Sequence, residues 1–178
     1  MKQPRGLRNN NPLNIRRTNT VWQGERTAQN DKEFVVFKSM EWGYRAAWRT
    51  LYTYYYRFIS EKKPFSITSI IGRWAPPCEN DTQAYIKRVA SLSGIDKDEI
   101  LLNPVNPNGV WKLSSIIGAM TVVENGIRRR NVDKKAIKQG YRLAFHVGYP
   151  FQSERPNTPQ ESIIWDEYWD WSPEAFGK

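Results

Sequence analysis

The chain has 178 residues, which is enough for one domain with a sizeable hydrophobic core and short for two. Hydrophobic residues make up 39% and aromatic residues 13%, so the composition excludes an intrinsically disordered chain. The formal net charge of +9 favours polyanionic partners, namely nucleic acid, an anionic membrane surface or the acidic polymers of a bacterial wall.

Cysteine and histidine are too scarce to build common covalent and metal sites. The single Cys78 excludes an internal disulfide, and one cysteine with one histidine cannot form a Cys/His zinc set. We therefore expect no metal and no cofactor. The first residues are polar and no window is long and apolar enough to span a bilayer, so we expect neither a signal peptide nor a membrane span.

The first predicted element is an asparagine-rich loop over residues 8–16. Asparagine side chains hydrogen-bond nearby backbone and tolerate left-handed conformations, so the cluster can fold a compact turn. The same amides offer donors and acceptors to a polar ligand such as a sugar. The alternative is a simple Asx-turn before the first ordered element, and the loop alone does not decide between the two.

A turn over residues 21–25 and a short strand over residues 33–37 are predicted next. Ser39 is a good N-cap for a long helix whose apolar residues repeat about every 3.6 positions. The broad aromatic face of this helix is predicted to lie in the core rather than to bind a ligand. That face consists of Trp42, Ala46, Trp48, Leu51, Tyr52, Tyr55, Phe58 and Ile59.

Shorter helices follow, and most have a recognisable residue at one end. A helix over residues 66–74 stops before two prolines, and the next is capped by Asn80 or Asp81 and closed by Gly94. A loop over residues 103–109 leads into a buried helix over residues 112–124, which Gly126 ends. The last helix is predicted over residues 133–145.

These elements predict a mainly α fold of the α+β kind, with one short β segment. We expect one helical domain over residues 1–147. Residues 148–178 are acidic and rich in tryptophan, opposite in charge to the rest of the chain. They predict a C-terminal tail or extension that folds back on a basic surface or docks a partner.

Glu124 is the leading candidate for catalysis, because it ends an apolar helix and is followed at once by Asn125 and Gly126. Partial burial favours the protonated form of a carboxyl, and a protonated carboxyl can donate to a departing glycosidic oxygen. The alternative is an ordinary surface glutamate. The helix dipole disfavours an anion at this end, so the presence of Glu124 there indicates a functional role.

The segment that joins the 66–74 helix to the next one is a candidate sugar-binding region. Trp74 and Tyr85 present aromatic rings beside amide and hydroxyl groups, a combination that suits the apolar face and hydroxyls of a pyranose. Glu79, Asn80 and Thr82 supply the polar groups there, although helix capping also explains much of their presence.

Residues from about 6 to 126 resemble phage and prophage virion-associated proteins that are lysozyme-like. Segments 11–15, 22–24, 34–37 with Ser39, and 43–46 are similar to parts of flagellar-type glucosaminidases and lytic transglycosylases. In those enzymes an Asn-rich or Gly-rich segment follows the catalytic glutamate helix. Here that helix is matched by residues 119–126, which come later in the chain.

The resemblance therefore implies a circularly permuted lysozyme-like domain, in which Glu124 faces the loop over residues 11–15. It implies one catalytic residue, Glu124, and no metal or cofactor. The substrate-binding residues expected from the motifs and the resemblance together are Asn11, Asn14, Trp22, Gln23, Trp74, Glu79, Asn80, Thr82 and Tyr85.

The expected function is cleavage of peptidoglycan glycan strands. If Glu124 acts alone, the reaction resembles that of a lytic transglycosylase; a second carboxylate, from Glu33, Glu41 or Glu79, favours hydrolysis. Carboxyl groups about 5–5.5 Å apart indicate a retaining hydrolase, and a separation of about 6.5–9.5 Å an inverting one.

Two other functions stay open. The first is a non-catalytic virion structural or cell-wall-binding protein that keeps the groove without turnover. The second is nucleic-acid binding through the arginine run at residues 128–130, Arg16, Arg17 and neighbouring lysines. A basic run is a weak signal, because it is more often a solvated face, so this function is the less expected of the two. The expected partners are glycan strands and other virion proteins, and the expected location is the phage virion or the bacterial envelope.

Overall fold

The computed structural model describes residues 3–78 and 81–145, and within them the chain is mainly helical, as predicted. The predicted tail and two predicted site residues, Glu79 and Asn80, lie outside the described residues. The helices are α1 (Arg5–Arg8), α2 (Met40–Ser60), α3 (Ile67–Trp74), α4 (Thr82–Ser93), α5 (Pro107–Asn125) and α6 (Lys134–Phe145), with a 3-10 turn at Arg129–Asn131. Of the helices in this part of the chain, none is long and apolar enough to cross a membrane.

The long helix α2 packs along α6 through its aromatic side chains. Trp48 is fully buried, and its indole Nε1 donates to the carbonyl of Ile137 at 3.1 Å. Its ring meets the ring of Tyr141 edge to face at 5.0 Å, a favoured aromatic geometry. The prediction of a core role is confirmed for this part of the face, whereas Ile59 near the end of α2 is 56% exposed.

Helix α5 is the central buried element and packs along α4. Leu113, Ile116, Ile117 and Met120 have no exposed surface. The helix begins earlier than predicted, because Asn106 caps it through its side chain and a proline occupies the first position. Proline is well suited there, since its missing N–H would have no partner in the first turn anyway.

Capping residues set several other helix ends, and those at Asp81 and Gly94 were predicted. Ser39 occupies the N-cap position of α2 as predicted, but its side chain makes no capping hydrogen bond. The Ser66 hydroxyl accepts from the backbone N–H of Ser69 at the start of α3. The Asp81 carboxylate does the same for Ala84 at the start of α4, and Gly94 closes that helix in the left-handed region at φ 73°. Side-chain caps satisfy N–H groups that have no partner within the helix.

The predicted strand over residues 33–37 is wrong, because the described residues contain isolated bridges there and no strand. Arg16 bridges to Phe34, and Glu25 bridges to Phe37. Side-chain amides bind some of the backbone groups that a neighbouring strand would otherwise bind. Gln29 both accepts from the N–H of Val36 and donates to its carbonyl, at 2.8 and 2.9 Å.

An ion-pair cluster ties α1 to this irregular segment. Arg5 binds both carboxylate oxygens of Asp31, at 2.6 and 2.7 Å, and also reaches Glu33. Asp31 in turn accepts from the backbone N–H groups of Glu33 and Phe34. The hydrogen bonds from Arg5 are the main reason that the pKa of Asp31 is held well below its ordinary value.

Close backbone contact between α2 and α6 makes Gly140 intolerant of a side chain. A Cβ there would stand 2.6 Å from Tyr44 Cβ and 2.8 Å from the backbone nitrogen of Arg45. We expect Gly140→Ala to lower the free energy of unfolding by about 1–3 kcal/mol, because the helices must separate. Chemical denaturation measures this change.

The matched control is Gly72→Ala in α3, where a Cβ would meet nothing within 4 Å. Alanine is favoured over glycine inside a helix, so this variant should gain about 0.5–1 kcal/mol. Equal effects of the two substitutions would show that the α2–α6 contact does not limit residue 140.

The lowered pKa of Asp31 predicts a pH-dependent contribution to stability. This contribution is fully present above the unfolded-state pKa of about 3.9 and is lost as the pH falls towards the lower folded-state pKa. Asp31→Asn should therefore lower Tm at pH 7, and the difference from wild type should narrow at acidic pH. Thermal unfolding followed by circular dichroism measures this, and a constant difference at every pH would contradict the assignment.

Candidate active site

Glu124 lies in the last turn of α5 and is half-buried. Gly126 caps the helix in the left-handed region at φ 60°, so the chain turns away directly after the glutamate. Both carboxylate oxygens accept hydrogen bonds. The Asn14 amide donates to Oε2 at 2.9 Å, and the Tyr85 hydroxyl donates to Oε1 at 2.7 Å.

The asparagine-rich loop is folded by one of its own side chains. Asn11 is fully buried, and its amide accepts from the N–H of Ile15 and donates to the carbonyls of Ile15 and Val35. Asn14 adopts a left-handed conformation at φ 50°, which asparagine tolerates better than most residues. The loop thus presents the Asn14 side chain to the end of α5.

Asn125 fixes this loop against α5. Its Nδ2 donates to the carbonyl of Pro12 at 2.8 Å and to the carbonyl of Thr121 within the helix at 3.0 Å. Two consecutive residues of α5 therefore hold the loop, Glu124 by its carboxylate and Asn125 by its amide.

Tyr85 approaches from α4 and keeps its proton. Its pKa is raised well above the ordinary value, first by burial and then by the nearby charge of Glu124 and the hydrogen bond to it. A phenol in this state is a permanent donor at neutral pH. It binds the carboxylate oxygen that Asn14 does not.

Glu124 opens into a cavity of about 420 Å³. Its aromatic walls are Trp22, Phe34, Tyr54 and Trp74. Polar or charged groups come from Asn14, Arg16, Thr18, Thr50 and Glu124. Trp22 and Trp74 also pack against the buried cluster of Ile15, Val35, Phe37 and Ala46, so the core itself holds these two walls in place.

The structure brings together five of the predicted site residues. Asn14, Trp22, Trp74 and Glu124 line the cavity, and Tyr85 joins them through its hydrogen bond to Glu124.

Other predicted site residues lie elsewhere. Asn11 is buried and occupied with the backbone, and Gln23 is exposed and does not line the cavity. Thr82 is buried, and its hydroxyl donates to the carbonyl of Ala75 at 2.5 Å. Of the suggested second carboxylates, Glu33 binds Arg5 and Glu41 lies in the first turn of α2, and neither lines the cavity.

Seven lining residues were not among the predicted site residues, namely Ile15, Arg16, Thr18, Phe34, Thr50, Tyr54 and Ala75. Thr50 and Tyr54 lie one helical turn apart on α2, beside the aromatic face that was assigned to the core. Their spacing was the available signal, since residues four apart share one helix face. Arg16 and Phe34 form a bridge between two irregular segments. The local sequence pattern does not predict this pairing.

The chemistry of the lining groups is of the kind that suits a sugar and a proton transfer. Aromatic walls favour the apolar face of a pyranose, and the hydroxyl and amide groups match its polar edge. The carboxyl is the group that exchanges a proton, and its two donors fix the direction in which it faces.

Comparison with known proteins adds one relationship. No family model matches the chain. Protein P5 of Pseudoalteromonas phage PM2 is 39% identical over 145 residues, which cover 80% of this chain and 82% of P5.

This chain belongs to the P5 family. The relationship supports the phage origin that the resemblance implied. It bears on origin rather than on chemistry, so the activity of this P5-family chain is argued from its site.

Thr82 tests whether a predicted site residue acts only through the fold. Thr82→Val should lower the free energy of unfolding by about 1–3 kcal/mol, because the buried carbonyl of Ala75 loses its donor. Thr82→Ser keeps the hydroxyl and should recover most of the loss. Denaturant unfolding measures both variants, and weakened glycan binding in a stably folded Thr82→Val protein would contradict a purely structural role.

Proposed function

We propose that this chain cleaves glycosidic bonds in peptidoglycan glycan strands, with Glu124 as general acid and base. The observation that carries the proposal is the placement of Glu124 in an aromatic-walled cavity. Among the described residues that line this cavity, Glu124 is the one carboxylate. The reaction is of the lytic transglycosylase type or of the muramidase or glucosaminidase type.

The walls support a sugar as the ligand. A cavity of about 420 Å³ falls in the range of small-molecule sites. Trp22 and Trp74 are anchored by the core, so they offer rigid surfaces against which pyranose rings pack. Arg16 and the overall charge of +9 favour an anionic polymer such as the bacterial wall.

The chemical step follows from one carboxyl. Protonated Glu124 gives its proton to the glycosidic oxygen as the bond between that oxygen and the anomeric carbon breaks. The resulting carboxylate then takes a proton from the attacking hydroxyl. If that hydroxyl belongs to the same sugar, an anhydro ring forms; if it belongs to water, a reducing end forms.

We also propose a lysozyme-like, circularly permuted domain. Support comes from the contact between Asn14 and Glu124, which joins residues 110 positions apart. In the enzymes that the sequence resembles, the glutamate helix precedes the Asn-rich loop. Here the same pair meets in space with the order along the chain reversed, as permutation would produce.

The alternative proposal is a non-catalytic virion structural or cell-wall-binding protein. One observation favours it, since both oxygens of Glu124 accept hydrogen bonds from Asn14 and Tyr85, as in a carboxylate with a structural role. Such a protein would bind glycan strands in the same cavity and release no product. Location in the virion or at the bacterial envelope fits both proposals.

The deciding experiment measures soluble muropeptides released from purified peptidoglycan by the wild type and by Glu124→Gln. We expect at least a 100-fold loss of rate in the variant, on the order of what a general acid contributes. Mass analysis of the products separates anhydro from reducing ends and so names the reaction.

Glu41→Gln is the matched control, because Glu41 is a helix-borne glutamate that does not line the cavity. It should retain the wild-type rate. Absence of release by the folded wild type from several wall types, together with glycan binding that Glu124→Gln leaves unchanged, would replace the enzyme with the binding protein.

A further inference from the structure

A buried corner beside the site contains oxygens without donors. Asn14 Oδ1 and Asn125 Oδ1 find no hydrogen-bond partner among the described residues. Both converge on Gly6, where a Cβ would stand 2.7 and 2.5 Å from them and 2.8 Å from the carbonyl oxygen of Asn11. Buried acceptors without donors are costly, and native structures rarely retain them.

The other end of the Asn14 amide faces Glu124. Its Nδ2 donates to Oε2 at 2.9 Å and lies 3.4 Å from the backbone carbonyl of Glu124. This orientation suits an ionised carboxylate, which only accepts. A protonated Oε2 needs an acceptor instead, and the nitrogen of an amide cannot provide one.

Turning the amide of Asn14 by half a turn exchanges its oxygen and nitrogen without moving the backbone. The oxygen then faces Glu124 and can accept a hydrogen bond from its protonated carboxyl. The nitrogen enters the corner at Gly6, where Asn125 Oδ1 lacks a donor. The turned orientation therefore directs the Asn14 nitrogen towards the corner that contains Asn125 Oδ1, and gives Asn14 Oδ1 a donor when Glu124 is protonated.

We propose that the side-chain amide of Asn14 rotates by half a turn when Glu124 gains or loses a proton. Asn125 stabilises the arrangement with protonated Glu124 by accepting a hydrogen bond from the Asn14 amide. Asn125 is thus a positioning residue that keeps the acid form of Glu124 ready. The catalytic role of Asn125 rests on the proposed function, whereas the rotation of the Asn14 amide does not.

The other groups that face Glu124 fit both arrangements. Tyr85 from α4 donates to Oε1 and leaves Oε2 to Asn14. Arg16 is the cation that lines the cavity with Glu124. A change in protonation at Oε2 is therefore answered by Asn14, the one side chain bonded to that oxygen among the described residues.

The test is nuclear magnetic resonance on the full, isotope-labelled chain across a pH titration. The carbon signal of the Glu124 carboxyl reports its protonation. Nuclear Overhauser effects from the Asn14 amide protons to the Gly6 α-protons report the turned orientation. We expect these effects to be strong while Glu124 is protonated and to disappear as it ionises, and unchanged effects on both sides of the titration would overturn the proposal.

Two variants complete the test. Glu124→Gln places an amide donor opposite Asn14, so the effects to Gly6 should persist at every pH; their absence would overturn the proposal. Asn125→Ala should keep the contact between Asn14 and Glu124 at high pH, which checks that the loop is still docked, and should weaken the effects to Gly6 at low pH only. An unchanged signal at low pH would remove Asn125 from the mechanism. These signals do not depend on catalysis. Failure of peptidoglycan cleavage would therefore contradict the proposed function without affecting the rotation of the Asn14 amide.

Discussion

The docking of the asparagine-rich loop onto the end of α5 is the constraint on which the site depends. Asn11 folds the loop by satisfying three backbone groups with one buried amide. Asn125 then fastens the loop through the carbonyl of Pro12. Together these contacts place Asn14 beside Glu124. Neighbouring asparagines therefore have different roles. Asn11 folds the loop, whereas Asn14 donates a hydrogen bond to the Glu124 carboxylate.

Helix α2 connects this site to the core because it uses two of its faces. One face carries Trp48 into contact with α6, and another carries Thr50 and Tyr54 to the cavity. Trp74 at the end of α3 meets the ring of Tyr54 edge to face at 6.3 Å. The walls of the cavity are therefore extensions of the packed interior, which makes them rigid, as the proposed binding of a sugar ring requires.

Much of the helical architecture was predictable, because local chemistry decides it. Ser66, Asp81 and Gly94 mark helix ends by capping and by backbone conformation, and these rules act within a few residues. The segment around Val36 followed a different rule. Its apolar sequence has the character of a strand, but the Gln29 side chain binds the backbone groups of Val36, and this pairing depends on how the turn seven residues earlier is folded.

The site was predictable in part for the same reason. Glu124 stood out by its unfavourable place at a helix end, and the resemblance supplied its meeting with the loop. Sequence could not separate Asn11 from Asn14, because the two residues have the same chemistry and differ only in which way the folded loop turns them. Tyr54 was missed since its helix had already been explained by burial of its other face.

The contact between Asn14 and Glu124 joins residues 110 positions apart, and this separation affects when the site can form during synthesis. A chain emerging from the ribosome exposes the loop early and must wait for nearly all of α5 before the cavity has its carboxyl. Closing so long a loop adds little entropy beyond that of a shorter one, because the cost grows only with the logarithm of length. The delay is therefore set by synthesis more than by loop entropy, and a truncated product that ends before α5 carries the aromatic walls of the cavity without Glu124.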